Sequence, residues 1–248
     1  MAPLARTQEA CLFLDRQRGI VRRHQLDPCC WVDRVEGFVE GLMTRRPALF
    51  NLYTACQPEH GIGDDLGQAQ AKLATESRAY PLFRYNPDLG KTPEECFDLE
   101  MNPDIDDNWP TYALKYMEDG REKTMELPLT FADFAVTEAR FRKHFRVAPP
   151  DTWNENMVPL HEFLEMDEGD REGLFPYIWF VDRKKRLTRV LVAEPLVISS
   201  QERLDFWIML KASHGSSWIK LDEATEGSGC TLIRCAPPSP SCSPDASS

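Results

Sequence analysis

From Thr7 to Thr44 the apolar residues fall at Ala10, Leu12 and Leu14, then Ile20 and Val21, then Trp31, Val32, Val35, Phe38, Val39 and Leu42. These mixed spacings of three and four predict one or two helices, with a break at Asp27-Pro28. After Pro47 the pattern becomes a short continuous run, Ala48 to Tyr53, whose length and aromatic content predict a buried strand. A loop carrying Pro58, Gly61, Gly63 and Gly67 follows. Asp64 and Asp65 are placed to cap a helix running to about Arg78, with Leu66, Ala69, Leu73 and Ala74 inward. Tyr80 to Tyr85 reads as a second strand, ended by Asn86-Pro87-Asp88. Strand, helix and strand within about 40 residues match the length of a parallel crossover unit.

Lys91 to Pro110 is polar, holds Pro93, Pro103 and Pro110 and the acidic run 104–107, and is expected to be an irregular surface loop. Thr111 to Met117 and Lys123 to Leu129 form an expected hairpin about Asp119-Gly120. Thr130 opens an amphipathic stretch to Phe145, read as one helix with Asp133 in a capping-box position. A further helix is expected from Val158 to Met166, then two antiparallel strands, Leu174 to Val181 and Arg186 to Val192. A last helix, Gln201 to Lys211, would be capped by Ser199 or Ser200. Thr225 to Ser248 is Ser, Pro, Gly and Cys with few large apolar residues, too little to offset ordering entropy, so a disordered tail is expected.

The expected fold class is therefore α/β: a partial parallel sheet with flanking helices, plus an α+β hairpin-and-helix extension. Three segments follow: a helical N-terminal stretch (1–46), the α/β region with its extension (47–215) and the tail (216–248).

Composition narrows the function classes. The 248 residues carry a formal net charge of −11, which argues against a protein that grips nucleic-acid phosphates. No apolar stretch approaches a membrane span, and the run 10–14 is shorter than the roughly 7 to 15 residues of a secretory signal, so a cytoplasmic location is expected. Eight cysteines lie scattered without CxxC spacing and are expected to be reduced thiols.

Most local patterns carry no chemistry. Gly61-Ile62-Gly63-Asp64-Asp65-Leu66-Gly67 has its third glycine one residue late for a dinucleotide fingerprint and two aspartates where pyrophosphate would lie, so it reads as a helix start. Cys56 and His60 can be drawn as a thiol dyad, but a short loop shows neither the reach nor the orienting partner that nucleophilic catalysis needs. His144 follows Arg142-Lys143 on an expected solvated face, and Cys29-Cys30 lack zinc spacing. Cys230 and Cys235 fall in the tail as incidental thiols.

Residues 47–87, PALFNLYTACQPEHGIGDDLGQAQAKLATESRAYPLFRYNP, resemble the last part of the thiamine-diphosphate domain of pyruvate:ferredoxin (flavodoxin) oxidoreductases. The matching pieces are a buried strand ending in a cysteine loop with His60-Gly61, a helix from Gln70 to Ser77, and the strand Tyr80 to Pro87, YPLFRYNP, which is the most specific. The likeness extends more loosely through Phe97-Asp98-Leu99 and the 130–145 stretch to the helix near Trp207, covering about residues 47–213.

That resemblance implies an enzyme that oxidatively decarboxylates a 2-oxoacid on thiamine diphosphate with Mg²⁺ and passes electrons through iron–sulfur clusters to ferredoxin or flavodoxin. It implies that Cys56 is the fourth thiolate of a [4Fe-4S] cluster. This chain departs from the pattern: the loop between Cys56 and His60 is one residue longer, and residues 1–46 supply neither the Gly-Asp-Gly and Asn of the thiamine site nor the remaining cluster cysteines. The reading is a fragment or subunit, inactive alone, completed by a complementary oxidoreductase chain. The alternative is a non-catalytic interaction or structural remnant of that family.

Overall fold

The computed structural model describes residues 20–25 and 31–215. The expectations for the stretch around Ala10, the Asp27-Pro28 break, the tail, and six cysteines (Cys11, Cys29, Cys30, Cys230, Cys235 and Cys242) lie outside the described residues. What is described is a mixed α/β architecture of two four-stranded sheets and a two-stranded hairpin.

The first sheet takes its strands in the order β2-β1-β3-β4: β1 is Ile20–Gln25, β2 Ala48–Tyr53, β3 Phe83–Tyr85 and β4 Phe97–Asp98. β1 runs parallel to β2, with Ile20 opposite Ala48 and Gln25 opposite Tyr53, and antiparallel to β3, with Val21 opposite Tyr85. This corrects two expectations. Ile20 and Val21 start a strand and not a helix, and the strands at Ala48 and Phe83 are neither neighbours nor parallel. The crossover is β1 to β2 through helix α1 (Trp31–Met43), and the sheet is mixed. Ile20-Val21 gave no alternation because arginines, histidine and glutamine fill the rest of the strand, so periodicity could not separate it from the helical stretch around it.

Helix α1 lies across β2. Phe38 stacks on Phe50 with ring centres 4.5 Å apart, and Gly41 faces the same ring so closely that a Cβ there would clash with Phe50. Glu40 accepts hydrogen bonds from Arg84 and Asn86, which ties α1 to β3. Tyr80 donates to Asn51 Oδ1 at 2.9 Å, and Asn102 bridges the backbone of Leu82, accepting from its N–H at 2.8 Å and donating to its carbonyl at 2.6 Å. The YPLFRYNP segment is thus a structural clamp: its polar groups hold α1, β2 and the following loop. β2 itself is not buried, as expected for a core strand, because it forms one edge of the sheet; Leu49 and Leu52 are 38% and 40% exposed.

Between β2 and β3, α2 (Gln57–His60) and a 3₁₀ turn (Asp64–Leu66) lead into α3 (Gly67–Glu76). No side chain caps either the turn or α3, and the inward face is Gln70, Ala71, Ala74 and Thr75; Leu66 and Ala69 point out. Leu73 and Ala74 face the core as expected, while in the first turn Gln70 takes the inward place expected of Ala69, held by its hydrogen bond to Thr137.

Residues 91–110 are not a loose surface loop. They hold a short helix, α4 (Pro93–Cys96), and wrap two buried cations. Arg78, fully buried at φ +56°, donates to the carbonyls of Asp104 (2.7 Å), Asp107 (3.3 Å) and Asn108 (3.4 Å), and its guanidinium stacks 3.9 Å from the Trp207 ring. Lys211 donates to the Asp106 carbonyl and to Asn108 Oδ1. Burial lowers the pKa of Arg78 to about 10 and also lowers that of Lys211. The acidic run serves through its main-chain carbonyls, which a composition reading takes as solvated carboxylates.

The hairpin is as expected: β5 (Thr111–Glu118) and β6 (Arg121–Pro128) join at Asp119 and Gly120, both at positive φ, the pairing that a tight twisted turn requires. Thr130 and Asp133 form the capping box of α5 (Phe131–Ala135). The stretch then breaks, giving a 3₁₀ segment (Ala139–His144) and strand β7 (Phe145–Ala148) where one helix was expected. Strand β8 (Met157–Pro159) precedes α6 (Leu160–Glu165), and β9 (Phe175–Val181) pairs antiparallel with β10 (Leu187–Val192). The second sheet runs β7-β10-β9-β8. The last helix, α7, spans Glu194–His214 and ends at Gly215 in the left-handed conformation. It starts earlier than expected because Pro195 fits a first helical turn, while Ser200 sits inside the helix, donating to the Leu196 carbonyl at 2.7 Å. The main core joins α3, α5, α6, α7 and the second sheet; a smaller cluster gathers Phe83, Leu99, Phe206, Trp207 and Leu210. Among the described residues no helix is long and apolar enough to cross a membrane.

Candidate functional site

Cys56 lies three residues beyond β2, at the end of the sheet where the parallel pair β1–β2 finishes together. Loops at the carboxyl ends of parallel strands are where such sheets place ligands. The cysteine is the N-cap residue of α2, in extended conformation, and its thiol is free and exposed. Pro58 sits in the first turn, where its missing N–H costs nothing. Gly61 closes the turn at φ +68°, donating to the Gln57 carbonyl at 2.9 Å; a Cβ there would meet Ala139 Cβ at 2.6 Å, so this close approach to the 139–144 segment requires glycine.

His60 is buried at 8% exposure, and its Nδ1 accepts the backbone N–H of Cys56 at 2.8 Å. The proton of this neutral imidazole is therefore on Nε2. The nitrogen nearest the cysteine is occupied by main chain and not by the thiol, so the pair is built as a loop brace and not as a nucleophile and base.

Behind the loop is a polar network that sequence reasoning missed. Glu138, 1% exposed, accepts from Tyr53 Oη at 3.2 Å, from Gln70 Nε2 at 3.3 Å and from Arg140 Nε. Gln70 also donates to Thr137 Oγ1 at 3.0 Å, and Thr137 donates to the Phe134 carbonyl. Burial, reinforced by the neighbouring Glu138 carboxylate, pushes the Tyr53 hydroxyl far above its ordinary range, so it stays a neutral donor. The Tyr53 ring lies 6.1 Å from the His60 ring. A buried carboxylate with three donors is satisfied, and its removal would strand the groups that position β2, α3 and the cysteine loop. The signal that could have located it is weak: Glu138 follows an apolar run in which no other charged residue but Asp133 occurs.

The described residues contain no Gly-Asp-Gly followed by Asn and do not fit thiamine diphosphate with Mg²⁺. Nor do they form a cluster site on their own: Cys56 offers one exposed thiol, while Cys96 is buried with its Sγ 3.5 Å from the Gly90 carbonyl. Among the described residues no group of three or more His, Cys, Asp or Glu side chains is placed to hold a metal. No family model, no curated protein and no solved structure matches the chain.

Proposed function

We propose that this chain is a subunit-like piece of a 2-oxoacid:ferredoxin or flavodoxin oxidoreductase assembly, inactive alone and completed by a second polypeptide. The observation that carries the reading is the placement of Cys56: an exposed thiol at the carboxyl end of a parallel strand pair, on a loop braced by His60 and Gly61, beside an edge strand whose Leu49 and Leu52 are bare. A thiolate donated to a cluster needs such exposure when the other ligands come from elsewhere. The complementary chain would carry the Gly-Asp-Gly segment and the remaining cluster cysteines.

The test is anaerobic co-expression with a neighbouring reading frame that encodes those segments. The complex is expected to be brown with absorbance near 400 nm, and Cys56→Ala to remove the colour while the two chains still purify together. Thiamine-dependent 2-oxoacid oxidation by the isolated chain would contradict the proposal.

The bare apolar edge by itself supports a second reading, a non-catalytic interaction protein. Val39, Leu42 and Met43 of α1 are also exposed, at 51%, 80% and 80%, so exposed apolar side chains are not confined to β2. In that case Cys56→Ala leaves every property of the complex unchanged.

A further inference from the structure

Arg189 stands in β10 opposite Trp179 of β9 and Ala148 of β7. Its guanidinium carbon lies 4.5 Å from the ring centre of Tyr177, 4.8 Å from Trp153 and 5.1 Å from Trp179. The rings brace one another: Trp153 meets Trp179 edge-on at 5.7 Å, Tyr177 meets Trp179 at 5.1 Å, and Trp153 Nε1 donates to the Ala148 carbonyl at 3.0 Å. Despite the excess of acidic side chains, Arg189 makes no hydrogen bond or ion pair among the described residues, and its Nε is buried without an acceptor. An exposed arginine can swing to water or to a carboxylate. This one is held by aromatic faces on a rigid sheet, so the rotamer entropy that an anion would otherwise have to freeze is already spent.

Tyr177 and Trp179 also border a small cleft open to solvent between the hairpin and the second sheet, together with Tyr112, Asp133 and His161, which Arg189 and Trp153 do not line. The Asp133 carboxylate is engaged by the Thr130 N–H and hydroxyl and by Tyr112, so it does not compete for the arginine. We propose that Arg189 in its aromatic box is a recognition site for a carboxylate, the planar fork pairing with the two oxygens and the attached organic group lying against the rings that hold the arginine. This holds whether or not the oxidoreductase reading does.

The test is titration of the ¹⁵N-labelled full chain with sodium acetate, with an end-capped Glu-Glu peptide and with inorganic phosphate, following the indole N–H signals of Trp153 and Trp179. Saturable shifts with acetate or the peptide are expected, a tighter peptide assigning the carboxylate to a protein partner and equal affinities assigning it to a small molecule. Arg189→Lys keeps the charge and the ring contacts but loses the fork, and should weaken binding by about tenfold or more; Arg189→Met should remove it. Both variants are checked for unchanged far-ultraviolet circular dichroism, and the lysine variant carries the test if the methionine variant does not fold. Shifts that never saturate, shifts that survive in the lysine variant at wild-type affinity, or a preference for phosphate would overturn the proposal.

Discussion

The two sheets are built on opposite terms. In the second, Ile178, Val190 and Val192 are at most 5% exposed and join Leu196 and Leu204 of α7 in the main core. In the first, β2 has no residue in the buried class, and α1 leaves Val39, Leu42 and Met43 to solvent. β3 of the first sheet joins the body through the apolar cluster of Phe83 with Phe206, Trp207 and Leu210, whereas β2 is held by polar clamps, Asn51 to Tyr80 and Tyr53 to Glu138. Among the described residues the main core lies in the body, while β2 and the loop that carries Cys56 are oriented by it but not buried against it. Apolar burial supplies most of a domain's stability, so among the described residues this corner contributes less to it than the body does.

The largest test of this division is Trp207→Ala. It removes the fully buried ring beneath Arg78 and the hydrogen bond to the Asp107 carbonyl, and should cost about 3–5 kcal/mol in chemical denaturation. A loss under about 1 kcal/mol would mean that the body is not where stability resides. Next, Glu138→Ala leaves Tyr53, Gln70 and Arg140 without their acceptor and should cost about 1–3 kcal/mol. Hydrogen exchange should show its effect spreading to the 53–61 segment, which links body to corner.

Asp133 supplies a pH signature confined to the body. Burial raises its pKa from 3.8 to about 6, against the hydrogen bonds from Thr130 and Tyr112 that favour the charged form. The folded protein then holds this proton more tightly than the unfolded chain does. The contribution is fully present below about pH 4 and is lost as the pH rises through 6. Denaturation midpoints at pH 4, 5, 6 and 7 should show that decline, and Asp133→Asn, which retains an oxygen for the capping box, should flatten it. Smallest of all is Leu52→Lys on the open edge: within about 0.5 kcal/mol of wild type in stability, yet sufficient to block docking of a complementary chain. A large loss of stability there would show that the edge is covered within this chain.

What could be read in the sequence divides along the same line. The hairpin was legible because Asp119-Gly120 dictates its turn, and the start of α5 because Thr130 and Asp133 satisfy each other locally. The stretch after it was not, since Glu138 leaves helical periodicity to reach Tyr53 and Gln70, 85 and 68 residues earlier in the chain. Likewise β1 reads as polar helix, and only its pairing between β2 and β3 makes it a strand. Cys56 was singled out by the resemblance and lies exposed three residues beyond β2, while the network behind it and the box around Arg189 are assembled from residues with no shared motif. Contacts of that range leave no local spacing to detect.

The most direct measurement of the central claim is the near-400 nm absorbance of the anaerobically co-purified complex, compared between wild type and Cys56→Ala at equal protein concentration. The account predicts that the band is lost while both chains stay together; a band of undiminished intensity in the alanine variant would contradict it.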